Sequence, residues 1–181
     1  MLQPVTRELL AHLEDIRPSD WQRCLDLTHT PAPYDRKQFT PGHFTASAFV
    51  LHPTEESILL IKHRKLGLWL QPGGHVHSDD TSAEAAARRE LVEETGLAEF
   101  EPLLSSNMPF DLDVHQIPAR PDEAEHAHFD LRFAYRALST ELNAQEEEVS
   151  GIAWTPISTL TNLETDDSVR RSAARLMALS L

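Results

Sequence analysis

The strongest constraint in this chain is one helical segment, Thr81 to Thr95, followed at once by Gly96. Thr81 and Glu84 stand in capping-box spacing at its front and the glycine sits where a helix stop belongs, so a long helix with defined ends is predicted. Within it, Arg89-Glu90-Leu91-Val92-Glu93-Glu94 places three carboxylates at i, i+3 and i+4. At about 100° per residue they share an arc of about 100° and crowd one face. Such a cluster repels itself, and hard cations among the oxygens account for it best. A charge run on a helix is ordinarily a solvated stripe. Against that reading, Arg89 stands four residues before Glu93 and can hold it, and Ala83 and Ala86 leave room for a ligand to approach. Just upstream, Gly73-Gly74 permits close backbone approach, with carbonyls free to point at a metal.

Around this helix the pattern is short apolar strands: Phe44–Leu51, Ser57–Lys62, Leu68–Gln71, Phe100–Ser105, Asp111–Ile117, Phe129–Leu138 and Val149–Thr155, with a last helix over Ser168–Leu179. This alternation describes an α/β or α+β domain in layers. Before it, Val5–Ile16 has helical spacing and ends at Pro18, and a second short helix is expected to open at Ser19. A boundary near residue 40 separates a helical extension, 1–40, from the main domain, 41–181. The apolar faces of those first helices could pack across a homodimer.

At 181 residues, 40% hydrophobic and 25% charged, the chain can bury about 70% of its unfolded surface without staples. The lone Cys24 has no partner and indicates a reducing compartment. The 29 acidic against 16 basic residues give a net charge of −13, a field that repels nucleic acid and anionic membranes. With no leader-like or membrane-length apolar stretch, a cytoplasmic protein is expected.

The helix and its glycine loop together resemble the Nudix box, G-x5-E-x7-R-E-U-x-E-E-x-G-U, where U is aliphatic. Arg89, Glu90, Leu91, Glu93, Glu94, Gly96 and Leu97 fall in register, and Pro72-Gly73-Gly74 looks like the family's loop entry. The first half departs: six residues after Gly74 stands Asp80, and eight before Arg89 stands Thr81, so the loop is one residue longer and lacks the glutamate. Asp79 or Asp80 is the available substitute. The segment from Glu148 through Trp154 to Ile157 resembles the family's late strand, and the likeness spans roughly 42–160.

That resemblance implies a Nudix-like α/β/α sandwich with a mixed sheet, and hydrolysis of a diphosphate linked to another moiety, such as a nucleoside diphosphate derivative. It implies Mg2+ or Mn2+ held by Glu90, Glu93, Glu94 and the Gly73 carbonyl, with Arg89 orienting the carboxylates. The general base could come from Glu146, Glu147 or Glu148, although any one of these reads more simply as surface charge. The basic run Lys62-His63-Arg64-Lys65 supplies Lys62 and Arg64 as candidate contacts to substrate phosphate, with a solvated loop as the equal alternative. His75 and His77, next to the glycine loop, are placed near the phosphates, and His126 and His128, with Asp130, flank a pocket. Either pair suits a transition metal, but no cysteine or second close motif completes a tetrahedral zinc site. Phe44, Trp69, Phe110 and Tyr135 read as core. Two rivals remain: a Nudix module that binds a nucleoside diphosphate without turnover, and an enzyme similar to isopentenyl diphosphate isomerase, which Cys24 is badly placed to serve.

Overall fold

The N-terminal forty residues fold onto the rest of the chain. In the computed structural model, described over residues 2–105, 107–143 and 149–179, the periodic segment 5–16 becomes a four-residue helix α1 (Arg7–Leu10) and a 3-10 turn over Ala11–Leu13. Helix α2 (Pro18–Thr28) follows directly. Pro18 therefore opens a helix at its first position, where its missing N–H costs nothing, and Arg17 occupies the cap position expected of Ser19. Leu10, Leu13, Trp21, Cys24, Leu25 and Leu27 are buried in the same cluster as Phe44 and Phe129. Most of the apolar positions that suggested a dimer contact are thus buried inside the protomer, while Ile16 is left exposed.

Among the described residues, eight strands then form one mixed sheet: β1 (Gly42–Leu51), β2 (Ser57–His63), β3 (Trp69–Leu70), β4 (Gly73–His75), β5 (Phe100–Pro102), β6 (Asp111–Ile117), β7 (His126–Ala137) and β8 (Val149–Pro156). Helix α3 (Ala83–Thr95) lies between β4 and β5, and α4 (Asp167–Leu179) ends the described chain. The β1–β7 pair is parallel and in register from Gly42 with Ala127 to Leu51 with Arg136, while the strand pairs around it are antiparallel.

All ten residues of β1 are buried, as a strand covered on both faces requires. One face presents Phe44, Ala46, Ala48 and Val50 to Ala83, Ala86, Ala87 and Leu91 of α3. Phe49 and Leu51, on the opposite face, pack with Val169, Ala173 and Leu176 of α4. The expected α/β/α sandwich is the result. Phe44, Phe110 and Tyr135 are core, as their strand positions predicted.

Two local readings change. Ser82, not Thr81, caps α3, its Oγ accepting from the Ala85 N–H at 3.1 Å. Glu84 leaves the box to accept from the buried Tyr135 hydroxyl at 2.9 Å. Ala83 and Ala86 are buried against the sheet, so their small size serves close helix–sheet packing and not ligand access. The stop at Gly96 is as expected, with φ 68 in the left-handed region.

Candidate active site

The glycine loop and α3 are bound together through their acidic groups. The Gly73 N–H donates to Glu94 Oε2 at 2.9 Å. A side chain on Gly74 would put its Cβ 2.6 Å from Glu90 Oε1 and 2.8 Å from Glu90 Cδ, so only glycine lets this carboxylate lie on the loop. Arg89 then gathers the rest. Its Nη1 donates to Glu90 Oε1 at 2.8 Å and to Glu93 Oε2 at 3.0 Å, the second being the i,i+4 contact that the spacing predicted. Its Nη2 donates to the His75 carbonyl at 2.9 Å.

The longer loop is closed by Asp80. Arg89 Nε and Nη2 reach Asp80 Oδ1 and Oδ2 at 3.1 and 3.0 Å, a two-pronged pairing, and the His77 N–H donates to the same carboxylate at 2.8 Å. Asp79 is exposed. Of the two aspartates left open by the sequence, Asp80 is the one joined to the helix.

Charge follows this geometry. Burial pushes the Glu90 carboxyl above its ordinary pKa, and the Arg89 guanidinium only partly offsets it. Burial acts the same way on Asp80, but hydrogen bonds from Arg89 and His77 outweigh it and hold this carboxyl low. Arg89, desolvated yet ringed by carboxylates, is held firmly protonated. Glu93 is the open member, its side chain about half exposed at 52%. Three carboxylates within one helical turn, one of them accepting from the Gly73 N–H, offer oxygen donors of the kind a hard divalent cation takes. The bare Gly74 Cα is the space that lets one of those carboxylates approach the loop.

Other candidates land elsewhere. Lys62 pairs with Trp69 across β2 and β3, and its carbonyl accepts from Ser150; Arg64 donates to the Val149 carbonyl at 3.2 Å. Both belong to the β2–β8 side of the sheet. Glu146, Glu147 and Glu148 lie outside the described residues. His77 is exposed, whereas the His75 side chain meets His43 and His128.

A buried polar row on the α4 side of the sheet escaped the sequence reading. Thr45 and Ser47 donate to Asp130 at 3.2 and 2.7 Å, and Gln71 reaches it at 3.4 Å. Arg132, 1% exposed, donates to Asp130 at 3.1 Å and to Ser172 at 2.6 Å, and lies 3.5 Å from Asp113. The available signal was polar alternation in His126-x-His128-x-Asp130-x-Arg132, interleaved with the apolar Ala127, Phe129 and Leu131.

Comparisons with known proteins agree with this architecture. The NUDIX domain family model matches residues 41–177. A Bacillus subtilis (strain 168) protein described as "Putative 8-oxo-dGTP diphosphatase" is 36% identical over 112 residues, 61% of this chain. The match spans 66% of that relative, just under two thirds of its length. A NUDIX family hydrolase from Clostridium perfringens superposes with TM-score 0.56 at 24% identity, covering 76% of this chain and 96% of that one. The NUDIX domain of Shewanella oneidensis NrtR, solved with ADP ribose, superposes with TM-score 0.58 at 20% identity, covering 83% and 96%. At these identities the two structures speak for the fold alone.

Proposed function

The chain belongs to the Nudix family, and from that premise we propose that it hydrolyses a diphosphate linkage in a nucleoside diphosphate derivative, using Mg2+ or Mn2+. The observation that carries this reading is the joining of loop to helix by Gly73 with Glu94, by Glu90 lying on Gly74, and by Arg89 with Asp80 and Glu90. Glu90, Glu93, Glu94 and the Gly73 carbonyl would hold the metal. Held there, a divalent ion would supply charge neutralisation for the diphosphate and a lowered pKa for bound water. Arg89 fixes the carboxylates on the side facing the loop. The Gly73 N–H orients Glu94, and burial makes the ionised Glu90 carboxyl one that an arriving positive charge would favour. The ADP ribose held by the Shewanella NUDIX domain and the description of the Bacillus relative support a nucleotide substrate. Lys62 and Arg64 are retained as proposed substrate contacts, and the cytoplasm as the proposed compartment, whereas the His75 side chain packs against His43 and His128, away from the acidic helix, and is withdrawn from that role; no described helix is long and apolar enough to cross a membrane. The division at residue 40 is likewise a proposal, supported by a family match that begins at residue 41.

The test is a screen of purified protein with Mg2+ against nucleotide sugars, dinucleoside polyphosphates, ADP-ribose and nucleoside triphosphates. Glu94→Gln should lower turnover of the best substrate by about a hundredfold or more, with an unchanged melting profile. Full activity in that variant would overturn the site, and metal-dependent binding without turnover by the native protein would favour a non-hydrolytic module.

A further inference from the structure

We infer that His43, His75 and His128, with His126 as a fourth donor, form a transition-metal site suited to Zn2+ on the sheet face opposite the acidic helix. The strand registers bring them together. His43 pairs with His128 across the parallel β1–β7 ladder, and Thr45, two residues along β1, pairs with His75 of β4. Paired residues share a face and neighbours in a strand alternate. Gly74 faces Glu90, so His75 points to the other side, where Thr45 and Ser47 also lie. The site is therefore separate from the carboxylates of α3, and the inference does not rest on the hydrolase reading.

The donor atoms are prepared for a metal. One ring nitrogen from each of His43, His75 and His128 lies within 4.8 Å of the others. Donors on one tetrahedral zinc, with bonds of about 2.1 Å, stand about 3.4 Å apart, so side-chain rotations of about an ångström close the set. His126 Nε2 and His128 Nε2 are already 3.3 Å apart. Backbone carbonyls hold the outer nitrogens: Gln38 O is 3.3 Å from His43 Nδ1, and Ala124 O is 2.7 Å from His126 Nδ1. Such contacts place the proton on Nδ1 and turn a bare Nε2 inward, as second-shell carbonyls do for metal-bound histidines. His43 is fully buried and its Nε2 has no hydrogen-bond partner. Burial lowers the pKa of His43, His75 and His128, that of His75 to about 4. Phe39 covers His126 from outside at 5.1 Å, and His115, held by Asp113, stands at the rim. Imidazole selects borderline transition ions over Mg2+, so the two sites discriminate by ligand chemistry.

The test is calorimetric titration of chelator-treated protein with Zn2+ in excess Mg2+, which occupies oxygen sites, together with NMR of the histidine ring nitrogens. One equivalent should bind, shifting the Nε2 resonances of His43 and His128. A Co2+-loaded sample should show the visible absorption of a tetrahedral nitrogen site. His128→Asn should weaken binding by more than about a hundredfold, beyond the range seen for loss of an outer-shell partner, while the exposed His29→Ala changes nothing. His75→Gln gives a second, less buried variant should His128→Asn fail to fold. Absence of stoichiometric Zn2+ binding by the native protein, or binding with unmoved His43 and His128 resonances, overturns the inference.

Discussion

Arg89 holds Asp80 with two donors, Nε to Oδ1 at 3.1 Å and Nη2 to Oδ2 at 3.0 Å, and by this contact the lengthened glycine loop is tied to the helix that carries the acidic cluster. Asp80→Ala should cost about 2 kcal/mol of stability, the range for a hydrogen bond to a charged group, and lower turnover because the loop carbonyls lose their position. Asp79→Ala should do neither, since Asp79 is exposed. Denaturant unfolding and steady-state rates of both variants make the comparison, and equal effects would remove Asp80 from its anchoring role.

Gly74→Ala acts on Glu90 rather than on the backbone. The new methyl would overlap the carboxylate, 2.6 Å from Oε1, and Glu90 would have to leave the loop. The expected result is a folded protein that needs roughly tenfold more Mg2+ for half-maximal rate, on the scale of ~10–100-fold for disturbed metal-site geometry. An unchanged Mg2+ requirement would place the cation elsewhere.

Divalent metal should stabilise the protein, because it relieves repulsion among Glu90, Glu93 and Glu94 and binds only the folded state. At a concentration about 100 times Kd the gain is about 2.7 kcal/mol, visible as a rise in melting temperature that chelator reverses. Glu90→Gln should raise the metal-free melting temperature and shrink the Mg2+ increment, since a buried carboxyl above its ordinary pKa resists ionisation. An undiminished Mg2+ increment in the variant would separate Glu90 from the metal.

Acid should unfold the protein in part through Asp113. Burial alone would push its carboxyl up, but His115, Arg132 and Arg171 outweigh that and hold it well below the usual value of 3.8. A depressed carboxylate contributes its stability in full above the unfolded pKa and loses it as pH falls through the folded one. Asp113→Asn should therefore flatten the acid limb of a stability curve, while costing about 2 kcal/mol near neutrality through the weakened charged hydrogen bond from Arg171, since Arg132 keeps Asp130. An acid limb as steep as in the native protein would count against this role.

What could be read along the chain was what depends on near neighbours. The carboxylates at Glu90, Glu93 and Glu94, the Arg89–Glu93 contact and the stop at Gly96 are set within one or two helical turns, and the strands showed themselves by apolar runs. Local competition blurred the ends: Ser82 won the cap because Glu84 was drawn to Tyr135, 51 residues away, and Pro18 opened a helix where a break was expected.

By itself, then, the sequence determined the acidic helix, its glycine loop and the layered class, because helix periodicity and backbone freedom are local properties. Only the tertiary structure decided that Asp80 and not Asp79 meets Arg89, that the N-terminal helices fill the domain's own core, and that His43, His75 and His128 share one face of the sheet. Those outcomes depend on strand register. Pairing β1 in parallel with β7 and antiparallel with β4 brings together residues far apart in the chain, and a shift of one residue in either ladder would have sent each histidine to the opposite face.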